Sequence, residues 1–329
     1  MKTIKDVAAA AGVSTATVSR VLSNSSKVSD SVRQRVHEAI AQLDYRPNRV
    51  ARSLRAQKSN VIGLIVADIQ NPYFTLVSRA VQDAAYMNGY NIFLCNTDEK
   101  EDKERQYLDI MYDENVAGII ISPTHDIRQT SRLLAERHIP AVIIDRANPE
   151  LNLSSVTIDN HDAGYRLTRH ILQSGKTNPV LIAGSGSTTG KLRSDGFCTA
   201  LSEFGIPIHR DTLHFIQARD TDGYAAVGEI LKNRPNTDAI IATNGLIAAG
   251  AFRRLHELGI MIPEHVAFAC IDETMWTPLV TPAITVMRQP TQEIGARAVD
   301  LLLAQIENTQ PDQTIAEVLH TTLIPRHST

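Results

Sequence analysis

The first 44 residues contain three stretches in which apolar side chains recur at the spacing of a helix. The first stretch places Ile4, Val7, Ala8 and Ala11 at i, i+3, i+4 and i+7, which is the single apolar face of a short helix. Gly12 follows directly and supplies a stop and a turn. We therefore expect a helix that ends near residue 11 and buries one side only.

A second helix is predicted to begin after Ser14, whose hydroxyl group suits the N-cap. The apolar residues that cluster on its inner side are Val18, Val21 and Leu22. A third helix is predicted from about residue 30 to residue 44, capped by Ser29, with inward positions Val32, Val36, Ile40 and Leu43. Three short helices with a glycine turn between the first two match the helix-turn-helix, whose second helix enters the DNA major groove.

The charge is distributed unevenly along the chain. The formal net charge is -3, but residues 1–60 contain 11 Lys and Arg against 4 Asp and Glu, which leaves 22 against 32 in the remainder. A basic head on an acidic body indicates a module that binds a polyanion, joined to a different unit. The alternative is a small helical unit with a solvated basic face.

The outward side of the second helix is short, polar and cationic. If this helix enters the groove with its N-terminal end first, Thr15, Ala16 and Arg20 lie where base edges are read. Arginine can bond guanine through two hydrogen bonds, and the methyl groups of Thr and Ala can contact a thymine methyl group. The side chains predicted to contact DNA phosphates are Ser19, Asn24, Ser29 and Asn48.

From residue 61 onwards, short apolar runs alternate with stretches of helical periodicity. One set of predicted strands covers 61–67, 90–96, 118–122 and 141–144, with helices near 75–88, 102–114 and 130–137. A second set has strands at 180–183, 213–216, 239–242 and 266–270, with helices at 161–174, 192–204, 222–233 and 245–258. The alternation predicts parallel sheets covered by helices, arranged as two α/β lobes with a cleft between them.

The loops after these strands are rich in polar groups. Ligands of parallel α/β sheets bind beyond the carboxyl ends of the strands. The loop residues found there include Asn71 within 68–74, Ser122 within 122–126, Asp145, Arg146, Arg193, Arg219, Asn244 and Asp272. Carboxylates, amides and guanidinium groups can together bond vicinal hydroxyl groups, so the ligand is expected to be polyhydroxylated. Any one of these side chains alone would more often cap a helix or pair with a neighbour.

The composition is that of a protein with a packed core. Hydrophobic residues make up 43% of the 329 residues and charged residues 21%, which excludes a disordered, collagen-like or disulfide-stapled chain. No apolar run approaches the ~20 residues of a membrane span, and no signal peptide is recognisable. Cys95, Cys198 and Cys270 lie far apart in apolar stretches and are expected to be buried thiols, which suits a reducing cytoplasm.

Motifs for enzyme chemistry are not satisfied. The segment 184–191 has a glycine and a lysine placed as in a phosphate-binding loop, but that motif needs glycine at Ser185 and a hydroxyl residue at Leu192. No HExxH or GxSxG motif occurs. We therefore expect no enzymatic activity, no metal and no cofactor. Trp276 follows Asp272 by four residues and is interpreted either as part of the cleft or as a packing residue.

Four motifs resemble those of the lactose-repressor family of bacterial transcription regulators. They are Ile4-Lys5-Asp6-Val7-Ala8, Ala11-Gly12-Val13-Ser14, Thr17-Val18-Ser19-Arg20-Val21-Leu22 and Tyr45-Arg46-Pro47-Asn48. The resemblance covers essentially the whole chain. It implies an N-terminal all-α helix-turn-helix head at 1–46, a hinge helix or linker at 47–59, and a periplasmic-binding-protein-like α/β core with parallel sheets at 60–329. Its two lobes are expected at about 60–159 with part of the C-terminal region, and at about 160–289.

The segment after Pro47 is short and carries several arginines, so by itself it is expected to be a marginal helix. DNA phosphates would neutralise the repulsion between these arginines and order the segment. In the family, paired hinge helices enter the minor groove and a leucine wedges a central base step open. Leu54 matches that leucine and is predicted to contact bases. A solvated linker helix is the alternative.

The resemblance also implies roles for residues of the cleft. The positions that match ligand contacts of the family are Asp145, Arg193, Asn244 and Asp272, with Tyr73 and Phe74 near the same cleft. The chain departs from the family at Ala218, where an aromatic ring is common, and at Gly245, where aspartate is common.

With fewer rings and more cationic groups, the cleft is hypothesised to bind an anionic effector. A sugar acid or a phosphosugar would be held partly through Arg146, Arg193 or Arg219. The alternative is that these arginines pair with the acids beside them.

Together these features predict a homodimeric, sequence-specific DNA-binding transcription regulator of the repressor type that reads a palindromic operator. A small carbohydrate-type effector would close or rotate the lobes and change operator affinity. No apolar heptads follow Ile324, so no tetramerising tail is expected. The alternative function is a cytoplasmic sugar-binding or sugar-modifying protein whose basic head is an assembly arm.

Overall fold

The structure is a computed structural model, and it describes residues 2–22, 28–45, 59–124, 127–148, 150–307, 309 and 314–329. Contacts between residues divide the chain into two units, 1–59 and 60–329. The predicted hinge at 47–59 lies outside the described residues except for Ser59, and so does Leu54. Asn24 and Asn48 also lie outside the described residues. No helix of the described part is long and apolar enough to cross a membrane.

The first unit contains helices α1 (Ile4–Ala11), α2 (Thr15–Leu22) and α3 (Asp30–Gln42). Val7, Val18 and Val36, one from each helix, are fully buried in a common core. Because α1 and α2 are only eight residues long, they need this shared core to remain helical. The predicted three-helix arrangement is confirmed.

The ends of these helices follow the sequence with one exception. Gly12 adopts a left-handed conformation with φ of 65° at the end of α1. Glycine adopts this conformation more easily than other residues because it has no Cβ atom. The Ser14 hydroxyl accepts a hydrogen bond from the Thr17 amide at 3.1 Å, as the N-cap prediction requires. Ser29 stands at the N-cap of α3, but its side chain caps no amide there and lies 3.3 Å from the Ser31 hydroxyl. Ser29 therefore occupies the predicted N-cap position, but the prediction that its side chain caps α3 is wrong.

The second unit contains two sheets, each flanked by helices. The strands of the first sheet are β1 (Val61–Val66), β2 (Asn91–Asn96), β3 (Gly118–Ile121), β4 (Ala141–Ile144), β5 (Ser154–Ile158) and β11 (Ala316–Leu319). The strands of the second are β6 (Pro179–Gly184), β7 (Leu213–Ile216), β8 (Ala239–Ala242), β9 (Ala267–Ile271), β10 (Thr285–Arg288) and β12 (Thr322–Ile324).

The strand orders are β11-β5-β4-β3-β1-β2 and β12-β10-β9-β8-β6-β7. All described pairings are parallel except that of β10 with β12. The central strands β3, β4, β6, β8 and β9 are buried along their full length, because helices cover both faces of the sheet. The prediction of two parallel α/β lobes is confirmed.

The helices of this unit follow the strands in alternation. They are α4 (Pro72–Met87), α5 (Glu101–Asp113), α6 (Ile127–Arg137), α7 (Asn160–Gln173), α8 (Thr188–Glu203), α9 (Asp220–Asn233), α10 (Gly245–Glu257) and α11 (Thr291–Ile306). A short 3-10 turn at Arg210–Thr212 precedes β7. Helices α7 and α8 pack against each other, as do α9 with α10 and α4 with α11.

The chain crosses between the lobes three times. The crossings are the segments 158–160 from β5 to α7, 288–291 from β10 to α11, and 319–322 from β11 to β12. Sequence analysis did not predict β5, β10, β11, β12 or α11, so it did not locate these crossings.

Close helix packing in the second lobe depends on small residues. Gly250 of α10 faces the backbone of α9, and a Cβ atom built on it would lie 1.8 Å from the Asp220 carbonyl oxygen. Gly223 of α9 faces the Ile247 carbonyl oxygen in the same manner, at 2.4 Å. The two helices therefore approach to backbone contact, which brings their N-terminal ends together.

Replacing Gly250 by alanine is expected to destabilise the core by about 1 to 3 kcal/mol, because α9 and α10 must separate to admit the methyl group. The control is Gly228→Ala in α9, where the nearest atom is the Nε of the flexible Arg254 at 3.4 Å. That change is expected to stabilise by up to about 1 kcal/mol, because alanine has the higher helix propensity. Urea unfolding of both variants measures the difference, and equal effects would contradict the packing argument.

Candidate functional site

A cleft of about 820 Å³ lies in the second unit, where the carboxyl ends of both sheets face each other. Its lining comes from the loops that follow β1, β2, β4, β6, β7, β8, β9 and β10. All nine side chains that sequence analysis assigned to effector binding line it: Asn71, Tyr73, Phe74, Asp145, Arg146, Arg193, Arg219, Asn244 and Asp272. The structure thus brings them together, while their contact with an effector stays a prediction.

Asp145 and Arg146 form one buried charged group at the base of the first lobe. Arg146 donates hydrogen bonds through both terminal nitrogens to the two carboxylate oxygens of Glu99, one of them at 2.7 Å. Its Nε lies 3.3 Å from the Asp145 carboxylate. Burial opposes ionisation of Arg146, but the Glu99 hydrogen bonds and the Asp145 charge outweigh it and raise its pKa. The charge of Arg146 is therefore balanced within the protein.

The side chain of Asp145 is 9% exposed, and the residue has a left-handed backbone conformation with φ of 65°. The Ser122 hydroxyl lies 3.4 Å from its carboxylate. Burial raises the pKa of Asp145, although the positive charges of Arg146 and Arg193 act in the opposite direction. The carboxylate is thus kept in an environment that disfavours its charge and favours added hydrogen-bond donors.

Arg193 is the buried cation of the second lobe, with 5% of its surface exposed. Its Nε donates to the Asn160 side-chain oxygen at 2.8 Å, and Nη1 donates to the Thr243 carbonyl oxygen at 2.6 Å. Both partners are neutral. Unlike Arg146, Arg193 has no direct carboxylate partner among the described residues.

Asp272 occupies the position in the second sheet that Asp145 occupies in the first, directly after the third strand in sheet order. It also has a left-handed conformation, with φ of 83°. Its carboxylate accepts hydrogen bonds from the Gly245 amide at 3.2 Å and from the Gln289 side chain at 2.6 Å. A Cβ atom on Gly245 would lie 2.8 Å from Thr274 Cγ2, so glycine at this position also keeps the site free of steric conflict.

Two asparagines and two aromatic rings complete the inner wall. Asn71 caps α4 by accepting a hydrogen bond from the Tyr73 amide at 3.1 Å, and Asn244 caps α10 by accepting one from the Ile247 amide at 2.8 Å. Tyr73 and Phe74 are buried and meet edge to face with ring centroids 5.0 Å apart. Burial raises the pKa of Tyr73 well above its ordinary value, so the phenol is neutral.

The outer part of the cleft is more exposed. Arg219 stands there at the N-cap of α9, next to Ala218. Asp68 lies across from it, and burial raises the pKa of that carboxyl group although the Arg219 charge lowers it. Because Ala218 has no aromatic ring, the cleft lining contributed by the loop after β7 is mainly polar.

Three functional partners were missed by sequence analysis: Glu99, Asn160 and Gln289. Glu99 follows β2, a strand that was predicted, so the rule of searching the carboxyl ends of strands would have found it. Asn160 and Gln289 follow β5 and β10, which were not predicted. The segment 184–190, which failed as a nucleotide-binding motif, also borders the cleft.

Five of the residues predicted to contact DNA belong to the described part of the first unit. Thr15, Ala16 and Arg20 are exposed on α2, Ser19 is half-buried and Ser29 is exposed before α3. This placement leaves the predicted base-reading side chains on the face opposite the valines of the core.

Other residues singled out in the sequence have packing roles. Trp276 packs against Phe252 with ring centroids 5.4 Å apart and does not line the cleft. Cys95 and Cys270 are buried free thiols, whereas Cys198 is only half-buried, so the expectation of burial is wrong for Cys198. The described residues hold no cluster of His, Cys, Asp and Glu that could bind a metal ion.

Comparison with known proteins agrees with this geometry. A family model described as "Bacterial regulatory proteins, lacI family" matches residues 3–48. A second, described as "Periplasmic binding proteins and sugar binding domain of LacI family", matches residues 59–326. The chain belongs to the LacI family. It is a transcriptional regulator with a sugar-binding domain.

Full-length relatives support the same assignment. The LacI-family chain is 35% identical to the HTH-type transcriptional regulator DegA of Bacillus subtilis (strain 168), over 89% of this chain and 88% of DegA. It is 32% identical to the HTH-type transcriptional repressor PurR of Pasteurella multocida (strain Pm70), over 100% and 98%. These relatives confirm a regulator rather than an enzyme.

The fold matches a solved structure over its full length. The Lac repressor dimer bound to operator and the anti-inducer ONPF superposes with a TM-score of 0.91, at 24% identity, covering 100% of this chain and 99% of that one. This similarity confirms the predicted combination of a helical head with a two-lobed α/β core.

The burial of Asp145 generates a pH-dependent prediction. Above the raised folded-state pKa the Asp145 carboxylate is ionised in both the folded and the unfolded chain, so its burial penalty is fully present. That penalty disappears as the pH falls through the raised folded-state pKa towards the ordinary value of 3.8. Asp145→Asn is therefore expected to be more stable than the parent at pH 7, with the difference shrinking towards pH 4.

Asp98 supplies the control of opposite sign. Its pKa is lowered by a hydrogen bond from Lys103, so Asp98→Asn is expected to lose stability at pH 7 and to match the parent at low pH. Urea unfolding at several pH values measures both variants. A destabilised Asp145→Asn with no pH dependence would show that its hydrogen bonds outweigh its burial penalty.

Proposed function

We propose that this chain is a cytoplasmic transcriptional repressor that binds a palindromic operator as a homodimer and senses a small sugar in the cleft. The observation that carries the proposal is the convergence of nine polar and aromatic side chains on one cleft, in a chain that also has a LacI-type head. The PurR relative is named a repressor, and the Lac repressor structure is that of a dimer on its operator.

The DNA-binding part of the proposal rests on charge and exposure. The first 60 residues carry the excess of basic residues, and α2 exposes Thr15, Ala16 and Arg20. A single head of this size reads only a few base pairs, so two heads related by a two-fold axis supply the specificity of a palindrome. Ser19, Asn24, Ser29, Asn48 and Leu54 are proposed to contact phosphates or, for Leu54, a base step.

The effector is proposed to be a neutral sugar. The buried end of the cleft holds the carboxylates of Asp145 and Asp272, each able to accept hydrogen bonds from hydroxyl groups. Arg146 is balanced by Glu99 and Asp145, so it offers little attraction to an added anion. Neutral hydroxyl groups therefore match this end of the site better than a carboxylate or phosphate does.

A sugar acid or phosphosugar is the second candidate. Arg193 has only neutral hydrogen-bond partners, and Arg219 stands at the exposed N-terminal end of α9, where the helix dipole also favours an anion. An anionic sugar would direct its charged group towards these two arginines.

Signal transfer is proposed to proceed through the angle between the lobes. A sugar that contacts Asp145 in the first lobe and Arg193, Asn244 and Asp272 in the second favours one lobe orientation. In a dimer, such a change would alter the spacing of the two segments at 47–59 that lead to the heads. A coupling of about 1 to 3 kcal/mol would change operator affinity about 5- to 150-fold.

The role of Arg20 is tested on DNA. Arg20→Ala is expected to reduce affinity for an operator selected from random DNA by about 5- to 150-fold, the range of one bidentate base contact, and to change affinity for a scrambled duplex much less. Lys5→Ala, at an exposed position of α1, is the control and should affect both duplexes alike. Equal losses on both duplexes for Arg20→Ala would remove it from base recognition.

The role of Asp272 is tested with four sugars: D-glucose, D-ribose, D-gluconate and D-glucose 6-phosphate. Calorimetric titration identifies which of them binds, and neutral and anionic members decide between the two candidates. Asp272→Ala is expected to weaken that binding about 10- to 100-fold, the effect of losing charged hydrogen bonds.

Asp238→Ala is the matched control for Asp272→Ala. Its carboxylate accepts hydrogen bonds from the Thr177 and Asn178 amides, at 2.7 and 2.9 Å, at the amino end of β8, away from the cleft. The control should bind sugar as the parent does. Normal sugar response in Asp272→Ala would place the effector elsewhere.

A further inference from the structure

Two of the three crossings between the lobes carry amide side chains that hydrogen-bond to charged residues of the cleft. Asn160 lies on the first crossing and Gln289 on the second. Both are buried, with 4% and 6% of their surfaces exposed. The Asn160 amide also donates from Nδ2 to the Ile158 carbonyl oxygen at 3.4 Å.

Asn160 connects the first crossing to Arg193. Its side-chain oxygen accepts the hydrogen bond from Arg193 Nε at 2.8 Å, just where the chain leaves β5 of the first lobe for α7. Helices α7 and α8 are in backbone contact here, since a Cβ atom on Gly164 would lie 2.1 Å from the Arg193 carbonyl oxygen. Asn160 is the first residue of α7, so the direction of the guanidinium group is set at the point where the chain enters the second lobe from β5.

Gln289 connects the second crossing to Asp272. Its side-chain nitrogen donates to the Asp272 carboxylate at 2.6 Å, just where the chain leaves β10 of the second lobe for α11. Helix α11 packs on α4 of the first lobe. A change in the course of this crossing would move the donor that holds Asp272.

The third crossing has no comparable link among the described residues. Its Thr321 carbonyl oxygen accepts a hydrogen bond from Arg166 at 3.2 Å, and Arg166 does not line the cleft. Among the described residues, only the side chains of Asn160 and Gln289 therefore join a crossing to a charged residue of the cleft by a hydrogen bond.

Because Arg193 and Asp272 are buried, losing either hydrogen bond would be destabilising. A buried charged group that loses a hydrogen-bond partner bears its desolvation penalty without compensation. Arg193 and Asp272 can keep these amide partners only while the two crossings keep their course. Conversely, a ligand that holds the two charged side chains favours one course of the crossings.

We propose that Asn160 and Gln289 are positioning residues that couple occupancy of the cleft to the angle between the lobes. The proposal rests on the proposed function for the identity of the cleft, but the hydrogen bonds themselves do not depend on which ligand binds. It assigns to the crossings an active part in regulation in addition to joining the lobes.

The test uses variants of the full chain that preserve side-chain shape. Asn160→Leu and Gln289→Met remove the amides with little change in volume. Gln305→Met is the matched control, because Gln305 also joins two elements through its amide, donating to and accepting from the Ala141 backbone at 3.3 and 3.0 Å, but lies away from the cleft. Thermal unfolding establishes that each variant is folded.

The first measurement needs no ligand. Spin labels on genetically encoded ketone residues at Glu101 of α5 and Lys191 of α8, both exposed, report the distance between the lobes in protein diluted with unlabelled chain. The two crossing variants are expected to give a broader or shifted distance distribution, while Gln305→Met superposes on the parent. Distributions indistinguishable from the parent in both crossing variants would overturn the proposal.

The second measurement separates coupling from simple loss of binding. The ratio of operator affinities without and with saturating sugar is measured with the member of the four-sugar set that changes the parent most. Each crossing variant is expected to lower that ratio by about fivefold even at saturation, the effect of one net hydrogen bond, whereas Gln305→Met preserves it. A weaker sugar affinity with an unchanged ratio at saturation would overturn the coupling role.

The two measurements also distinguish this inference from the proposed function. If none of the four sugars binds, the proposed effector class fails, and the distance measurement alone decides the role of the crossings. If a sugar binds and changes operator affinity in the parent but all variants behave as the parent does, the function stands and the inference fails.

Discussion

The partnering of buried charges at the base of the cleft is the constraint on which the site depends. Arg146, Arg193 and Asp272 are each nearly inaccessible to solvent, and an unpaired charge at such a position would be strongly destabilising. Their partners come from different elements: a carboxylate after β2, an amide after β5 and an amide after β10. The cleft is therefore held in shape by hydrogen bonds that span elements, with apolar packing beneath it.

This arrangement follows from a repeated architecture. Asp145 and Asp272 stand after equivalent strands of two sheets with the same order, and both adopt a left-handed backbone conformation. Such a conformation is costly for a residue with a side chain and is retained where the surroundings hold it in place. The two carboxylates thus present matching acceptors from opposite lobes, an arrangement suited to a ligand with hydroxyl groups on both sides.

The helical head and the two-lobed core are stabilised in different ways. The head is too small for a large core and depends on three fully buried valines, leaving the outer face of α2 free for polar and cationic residues. The core has broad parallel sheets that supply stability and a polar cleft. Gly245 serves the site in two ways: its backbone amide donates a hydrogen bond to Asp272, and its lack of Cβ avoids a clash with Thr274.

The sequence by itself determined the three-helix head, the alternation of strands and helices, and nine of the side chains that line the cleft. Periodicity and the strand-end rule are local signals, and the family resemblance added Tyr73 and Phe74. It did not reveal β5, β10, β11 and β12, whose short strands are completed by pairing with distant partners. It also overlooked α11, whose apolar spacing through Ile294, Ala298 and Leu302 was readable.

Only the tertiary structure decided which charges are paired. Arg146 and Arg193 are both arginines after strands, yet one meets Glu99 and the other meets Asn160 and a backbone carbonyl group. Those partners lie 47 and 33 residues away along the chain. The first sheet brings Glu99 to Arg146, and the packing of α7 on α8 brings Asn160 to Arg193. The charge balance of the site depends on these long-range contacts, which leave no local pattern in the sequence.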